Sequence, residues 1–274
     1  MDAEIADYLK TGVEVARTAG KEINGAFLEE KRIECKSSAV DLVTETDKHV
    51  EDLIISTLKK KYPTHSFIGE ESTAAGKHCE WTDNPTWIID PVDGTTNFVH
   101  SFPYVAVSIG LTINRQIVLG IVYIPVLDDL YTATKGGGAF LNGKKIQVSC
   151  QEDLKQSLLL SEVGSSRMES EVTIKMKNYQ ALVLAGVHGL RSIGSAAVSM
   201  CLVAKGCNDA YYEYGIHSWD MAAGAVIVLE AGGVLLDTTG GPFDLLSRRV
   251  LVASSRKLAD SVSSHLTHLE LPRD

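Results

Sequence analysis

In the run Trp87-Ile88-Ile89-Asp90-Pro91-Val92-Asp93-Gly94-Thr95-Thr96-Asn97, two carboxylates stand three residues apart where an apolar, β-rich stretch ends. Pro91 fixes its own φ, so a turn is expected there that aims Asp90 and Asp93 at one point. Converging carboxylates are a hard-cation site in outline. Gly94, without a Cβ, lets the backbone approach a ligand closely, and the amides of Gly94 and Thr95 can head a helical turn where an anion is favoured. The competing account is a Pro-Asp-Gly turn whose carboxylates merely cap the backbone. Two further segments weigh against it. Phe67-Ile68-Gly69-Glu70-Glu71 also ends an apolar strand in carboxylates, and Ser218-Trp219-Asp220-Met221-Ala222-Ala223-Gly224 sets Asp220 at the start of an apolar helix. Singly, Glu70 reads as a solvated strand-end charge and Asp220 as a cap; together with Asp90 and Asp93 they form an all-oxygen set. Such a set suits Mg²⁺ or Mn²⁺ and argues against zinc, for which no His/Cys cluster with ligand spacing is present. His265-x-x-His268 is expected on a solvated helix face.

Those residues need a scaffold. Two helices are expected first, Ile5–Leu28 and Glu45–Tyr62; in the second, Val50, Leu53, Ile54 and Leu58 share one face, and Thr44-x-x-Asp47 is a capping-box pattern. Strands are expected at Ser66–Gly69, Thr86–Asp90, Val105–Ile113, Ile117–Ile124 and Leu130–Thr134, with hairpin turns at Asn114-Arg115 and Asn142-Gly143. This half reads as helices packed on a largely antiparallel sheet. Beyond Cys150 the pattern alternates: strands at Leu158–Val163, Ala181–Val187, Ala210–Tyr214, Val234–Leu236 and Val250–Ala253, helices near Glu169–Tyr179, Ser195–Lys205 and Trp219–Ala231, and a closing helix. The expectation is therefore an α+β lobe over residues 1–149 carrying most of the candidate metal ligands, and an α/β lobe over 150–274 completing the site, tightly packed as one functional unit.

Composition narrows the partners. At 274 residues the chain is one large domain or two fused lobes, with 45% hydrophobic and 22% charged residues. Lys and Arg number 26 against 35 Asp and Glu, a net charge of −9, the wrong sign for a generic nucleic-acid or anionic-membrane binder. The acidic start Met1-Asp2-Ala3-Glu4-Ile5 does not resemble a secretory or mitochondrial signal, and no apolar run approaches the roughly 20 residues of a membrane span. Five scattered cysteines without paired spacing fit a reducing, cytoplasmic compartment. Gly136-Gly137-Gly138 lacks the Lys-Ser/Thr ending of a phosphate-binding P-loop and is read as structural.

Glu70-Glu71, Asp90-Pro91-Val92-Asp93-Gly94-Thr95-Thr96-Asn97-Phe98 and Trp219-Asp220-Met221-Ala222-Ala223-Gly224 together resemble the signature motifs of the inositol monophosphatases, within the lithium-sensitive, magnesium-dependent phosphatase superfamily. The resemblance runs from Lys36-Ser37-Ser38 to Gly240-Gly241-Pro242-Phe243-Asp244. It implies a layered αβαβα sandwich of the inositol monophosphatase/fructose-1,6-bisphosphatase kind and a homodimer that hydrolyses an inositol monophosphate with two or three Mg²⁺ ions per subunit. Mn²⁺ is a possible substitute and Li⁺ an expected inhibitor. By the same resemblance, Glu70, Asp90 and the Val92 carbonyl hold one metal; Asp90, Asp93 and Asp220 hold a second; Glu70 touches a third. Thr95 positions the attacking water, oriented by Asp47, with Glu70 assisting as base. Asp93, Gly94, Thr95, Gly194, Ser195, Asp220, the Ala196 amide and the Glu213 carboxylate are expected on the substrate, with Ser165 and His217 also matching substrate-side positions. Lys36 matches a loop next to the metals.

The chain departs from the family pattern at Val92, where Ile is usual but only the carbonyl matters, and at Ser218, where mammalian relatives carry Cys. Physical logic runs alongside: a phosphate dianion can approach clustered carboxylates on an acidic protein only if metal ions invert the local charge. Asp47 has a plainer reading as a helix-terminus carboxylate, and Glu213 as an outward strand charge. Alternatives of the same superfamily are a nucleotide 3′-phosphatase, a fructose 1,6-bisphosphatase or a broader sugar-phosphate phosphatase; an alternative of another class is a catalytically silent metal-binding protein.

Overall fold

A computed structural model describes residues 3–29, 31, 33–35, 42–77 and 79–274; Lys36 and its loop lie outside the described residues. The first half runs α1 (Ala3–Ala26), β1 (Ile33–Cys35), β2 (Leu42–Thr44), α2 (Glu45–Lys61), β3 (Ser66–Gly69), α3 (Glu70–Ala74), β4 (Thr86–Asp93), α4 (Thr95–Val99), β5 (Ala106–Ile113), β6 (Gln116–Ile124), β7 (Asp129–Thr134), β8 (Gly138–Leu141) and β9 (Lys144–Lys145). The second runs β10 (Leu158–Ser161), α5 (Glu169–Ala185), β11 (Gly189–Arg191), α6 (Ala196–Ala204), β12 (Ala210–Tyr214), α7 (Ser218–Glu230), β13 (Val234–Leu236), β14 (Arg249–Ala253) and α8 (Arg256–Ser264).

Strands β3 to β9 form a seven-stranded sheet in sequence order, parallel only between β3 and β4. The five-stranded sheet has the order β11-β10-β12-β14-β13. Three apolar clusters glue five layers. Val15, Ala19 and Ile23 of α1 with Val50, Ile54 and Leu58 of α2 bury against Trp87, Ile109 and Ile121 on one face of the large sheet. Its other face meets α6 and α7, through Met200, Cys201, Ala222, Ala223 and Val226, which also reach Tyr211 and Val252 of the small sheet. The outer face of that sheet is covered by α5 and α8, with Leu182, Leu258 and Val262 against Tyr212 and Leu251. The result is the expected αβαβα sandwich. Helix α7 lies on the large sheet at close range because Gly120 has no side chain, and a Cβ there would collide with the Ala223 carbonyl.

Local chemistry agrees with the turn readings. Asn114 and Arg115 both take positive φ, 51° and 57°, and Asn142-Gly143 takes 49° and 76°, as tight hairpin turns between right-twisted strands demand. The Gly136-Gly137-Gly138 turn is structural: the amides of Gly136 and Gly138 donate to the Glu230 carboxylate at 2.7 and 2.8 Å.

Three expectations need correction. Ala181–Val187 is not a strand. Helix α5 continues to Ala185 and stops where Gly186 turns left-handed at φ 89°; Leu182 is buried, but Val183 and Leu184 face solvent, so the apolar run is a helix surface, and the edge strand begins at Gly189. The pair His265/His268 is exposed but past the end of α8 rather than on its face. Finally, Asp90-Pro91-Val92-Asp93 is not a turn but a bulge within β4, where Asp90 faces Ser108 and Asp93 faces Ala106. Three steps on one strand match two on the other. On a regular strand, residues three apart point to opposite faces; the extra residue restores parity and lets both carboxylates reach one side. Pro91 sits there at no cost in ladder bonds because it has no N–H.

Candidate metal centre and active site

Three helix starts and one strand bulge converge. Glu70 opens α3 directly after β3, Asp90 and Asp93 flank the β4 bulge, Asp220 lies in the first turn of α7, and Asp47 lies in the first turn of α2. One carboxylate oxygen from each of Asp90, Asp93 and Asp220 falls within 4.8 Å of the others. Ser108 on β5, opposite Asp90, donates from Oγ to the Trp219 carbonyl at 3.1 Å, which ties the strand paired with the one bearing Asp90 to the helix bearing Asp220.

Electrostatics mark the cluster as strained without cations. Burial first, then the charges of Glu70, Asp93 and Asp220, push Asp90 well above the carboxylate range. Burial and Asp220 raise Asp93 to about 7, although it accepts Ser195 Oγ–H at 2.6 Å, the Ala197 amide at 2.6 Å and the Ala196 amide at 3.3 Å. Burial and Glu70 raise Asp220 to about 6. No Lys, Arg or His nitrogen forms an ion pair with Asp90, Asp93 or Asp220 among the described residues. An all-oxygen set of mutually repelling carboxylates fits hard divalent cations.

Thr95 follows Gly94, whose left-handed φ of 95° turns the chain from β4 into α4. The Thr95 hydroxyl lies 3.0 Å from Asp47 Oδ1 and 3.2 Å from the Val92 carbonyl, so its single proton is shared between them. Asp47 is 1% exposed and is raised by burial, against hydrogen bonds from Thr44 and with the Glu70 charge adding to the shift. Its Oδ2 accepts the Thr44 amide at 2.9 Å and also the Thr44 hydroxyl. The capping role and the contact with Thr95 therefore coexist, one on each oxygen.

The site opens into a cleft of about 540 Å³ lined by Glu70, Asp93, Gly94, Thr95, Ser165, Gly194, Ser195, Ala196, Glu213 and Asp220, among others. Glu213 is 5% exposed and hydrogen-bonded to the Tyr211 hydroxyl, so it is not an outward strand charge. The Ala196 amide points at Asp93, and a ligand hydroxyl there would share it. His217 is not brought to the cleft. It precedes α7, its amide donates to Asp220 Oδ2 at 2.6 Å, its ring stacks on Trp219 at 4.7 Å, and its Nδ1 lies 2.7 Å from Asp274 Oδ1. It steadies the start of α7.

Three groups next to the site escape sequence reasoning. Glu51, one turn after Asp47 on α2, accepts the Glu71 amide at 2.7 Å and the Ser72 amide at 2.8 Å, fixing the helix start that carries Glu70. Glu162 accepts the Ile193 and Gly194 amides at 2.7 and 3.0 Å. Asn97 Nδ2 donates to the Tyr104 and Ile193 carbonyls at 2.8 and 2.7 Å, clamping the two rims together. For Glu51 a weak signal existed, since it lies four residues after Asp47 on a helix.

Comparisons with known proteins agree with this geometry. The profile of the inositol monophosphatase family matches residues 4–270. Inositol monophosphatase 1 of Homo sapiens is 56% identical over 271 residues, 99% of this chain and 97% of its own length. Among solved structures, the Thermotoga maritima IMPase superposes with a TM-score of 0.85 at 30% identity, covering 94% of this chain and 96% of that one. A second, SaIMPase-II with inositol monophosphate bound, gives a TM-score of 0.77 at 28% identity over 93% and 92% of the two chains. Motifs, layered fold, acidic cluster and near full-length similarity lead to one assignment: this chain belongs to the inositol monophosphatase family.

Proposed function

We propose that the chain is a magnesium-dependent phosphomonoesterase that hydrolyses inositol monophosphates, such as inositol 1-phosphate, to inositol and orthophosphate. The observation that carries this reading is the convergence of buried Asp90 and Asp93 with half-buried Asp220, one carboxylate oxygen of each within 4.8 Å of the others, beside the Thr95–Asp47 hydrogen bond. Glu70, Asp90 and the Val92 carbonyl would hold one divalent ion, Asp90, Asp93 and Asp220 a second, and Glu70 part of a third. Bound there, such ions neutralise the phosphate dianion, lower the pKa of a water and stabilise the departing alkoxide.

The chain's own groups do the rest. Thr95, with its proton committed to Asp47 and Val92, accepts a hydrogen bond from water and so orients it. Asp47 and Glu70 are the nearby carboxylates that can take its proton. Ser195 and the amides at the start of α6 hold Asp93 in place, which is positioning rather than acid–base chemistry. Across the cleft, Glu213 offers an acceptor to ring hydroxyls and Ser165 a donor, a pattern suited to a polyol. Asp93, Gly94, Gly194, Ala196 and Asp220 complete the wall.

The family resemblance further supports Li⁺ inhibition, Mn²⁺ as a substitute and a cytoplasmic homodimer. Exposed Met176, Tyr179, Val183 and Leu184 on α5 favour self-association, while no described helix is long and apolar enough to cross a membrane. The test is phosphate release from inositol 1-phosphate, adenosine 3′-phosphate and fructose 1,6-bisphosphate, with and without Mg²⁺. Preferential, Mg²⁺-dependent hydrolysis of inositol 1-phosphate supports the reading; preference for another ester would move the substrate class within the superfamily, and no release from any would overturn the enzyme assignment.

A further inference from the structure

Lys175 is a lysine inside the protein. It lies on α5 with 5% exposure, and burying an ammonium without compensation is costly. Its Nζ donates to the Val163 carbonyl at 2.7 Å. That carbonyl belongs to the segment after β10 that carries Gly164, Ser165 and Arg167 along the cleft rim. The same rim is held from outside by Arg167, whose Nη1 donates to the Gly164 and Ser166 carbonyls at 2.9 Å each.

Lys175 also faces Glu213. The point where a Cβ on Gly164 would stand is 3.4 Å from Lys175 Nζ and 3.6 Å from Glu213 Oε1. The ammonium and the carboxylate thus flank one small space beneath the rim, with Gly215 alongside at 3.8 Å by the same measure. Glu213 otherwise receives the Tyr211 hydroxyl, whereas its neighbour Glu162 is satisfied by two backbone amides. An ammonium has three donors, and the Val163 carbonyl takes one.

We infer that Lys175 is a positioning residue for polyol recognition: it fastens the 163–167 rim to α5 and supplies the positive charge that balances Glu213 on the wall facing the ring hydroxyls. This rests on the polyol reading above and adds a residue that touches neither phosphate nor metal ligands. Its removal therefore acts on discrimination between substrates, not on phosphoryl chemistry.

The test is steady-state kinetics of wild type, Lys175→Met and Lys175→Arg at saturating Mg²⁺, on inositol 1-phosphate and on 4-nitrophenyl phosphate, which has no polyol ring. Thermal melts accompany each. For Lys175→Met the inference expects KM for inositol 1-phosphate to rise about 10-fold, the worth of one charged hydrogen-bond contact. The change in kcat should stay within about 2-fold, with the 4-nitrophenyl phosphate constants shifting far less than the inositol ones. Lys175→Arg should recover part of the loss, since it keeps the charge. Equal losses on both esters, or a folded Lys175→Met with unchanged preference, would overturn the inference. Should Lys175→Met fail to fold, Lys175→Gln takes its place: a KM rise confined to inositol 1-phosphate supports the inference, and unchanged or parallel constants refute it. Absence of any preference in the wild type is a separate result, which removes the polyol reading and this inference with it.

Discussion

Two groups of wholly or partly buried carboxylates lie around the cleft, and they have different surroundings. Glu51 and Glu162 each face a pair of backbone amides at 2.7 to 3.0 Å. Asp90, Asp93 and Asp220 face each other within 4.8 Å. Burial raises all five, but the largest influence after burial is an opposing hydrogen-bond donor in the first group and an added neighbouring carboxylate charge in the second. The lesson is that a buried acid with its own donors serves the frame, and one packed against other acids is built to receive cations. Asp93 shows both at once: three donors from the start of α6 fix its direction, yet Asp220 still holds it at about 7.

The comparison breaks most visibly at Asp90. Asp90→Asn removes a shared acceptor and should lower kcat/KM by about 1,000-fold or more, the scale of losing several kcal/mol of transition-state stabilisation, while circular dichroism shows a folded protein. Next comes Thr95→Val, which keeps the shape but deletes the oriented hydroxyl; kcat should fall about 100-fold with little change in melting temperature. Asp47→Asn separates its two oxygens' roles: a pure cap loss costs about 1 kcal/mol of stability and spares turnover, whereas the account expects turnover to fall. On the other side, Glu51→Gln turns an acceptor of two amides into a half-donor and should cost about 1–3 kcal/mol, read as a melting temperature lower by a few degrees, with residual Mg²⁺-dependent activity in the folded fraction.

The smallest effect is in pH. Asp93 and Asp220 titrate in the metal-free fold at about 7 and about 6, above their ordinary value of 3.8. The folded state therefore binds more protons than the unfolded one between pH 3.8 and 7, and the cluster's contribution to stability falls as pH rises through that window. Chelated protein should melt at a higher temperature at pH 5.5 than at pH 7.5, by this contribution, and saturating Mg²⁺ should remove the difference by stabilising the native state alone. A chelated protein whose melting temperature rises over that interval would show that the cluster is not protonated as described.

The sequence made the acidic set and most of the scaffold legible because both are local. Asp90-Pro91-Val92-Asp93 and Trp219-Asp220 each pair a chemical group with a strand end or helix start, and Asn114-Arg115 and Asn142-Gly143 carry their turn geometry in two residues. What stayed hidden depends on distant partners. Lys175 reads as one more helix charge until α5 is packed behind Glu213, and nothing in the spacing of Glu162 announces that the amides of Ile193 and Gly194, 31 and 32 residues on, will meet it. The β4 bulge escaped because Pro91 signals a turn and a bulge equally. The apolar run Leu182-Val183-Leu184 reads as strand by type, and only the exposure of Val183 and Leu184 beside buried Leu182 assigns it to a helix surface. The motif position of His217 points to the substrate, while its ring is taken by Trp219 and Asp274.

The most direct test of the central claim, that the clustered carboxylates Asp90, Asp93 and Asp220 bind catalytic cations, is a magnesium titration of chelator-stripped protein, read both by calorimetry and by phosphate release from inositol 1-phosphate, in wild type and Asp90→Asn. The account predicts saturable binding and activity that rise together in the wild type and are both lost or strongly weakened in the variant. Full activity in the stripped wild type, or magnesium binding and turnover unchanged by Asp90→Asn, would contradict it.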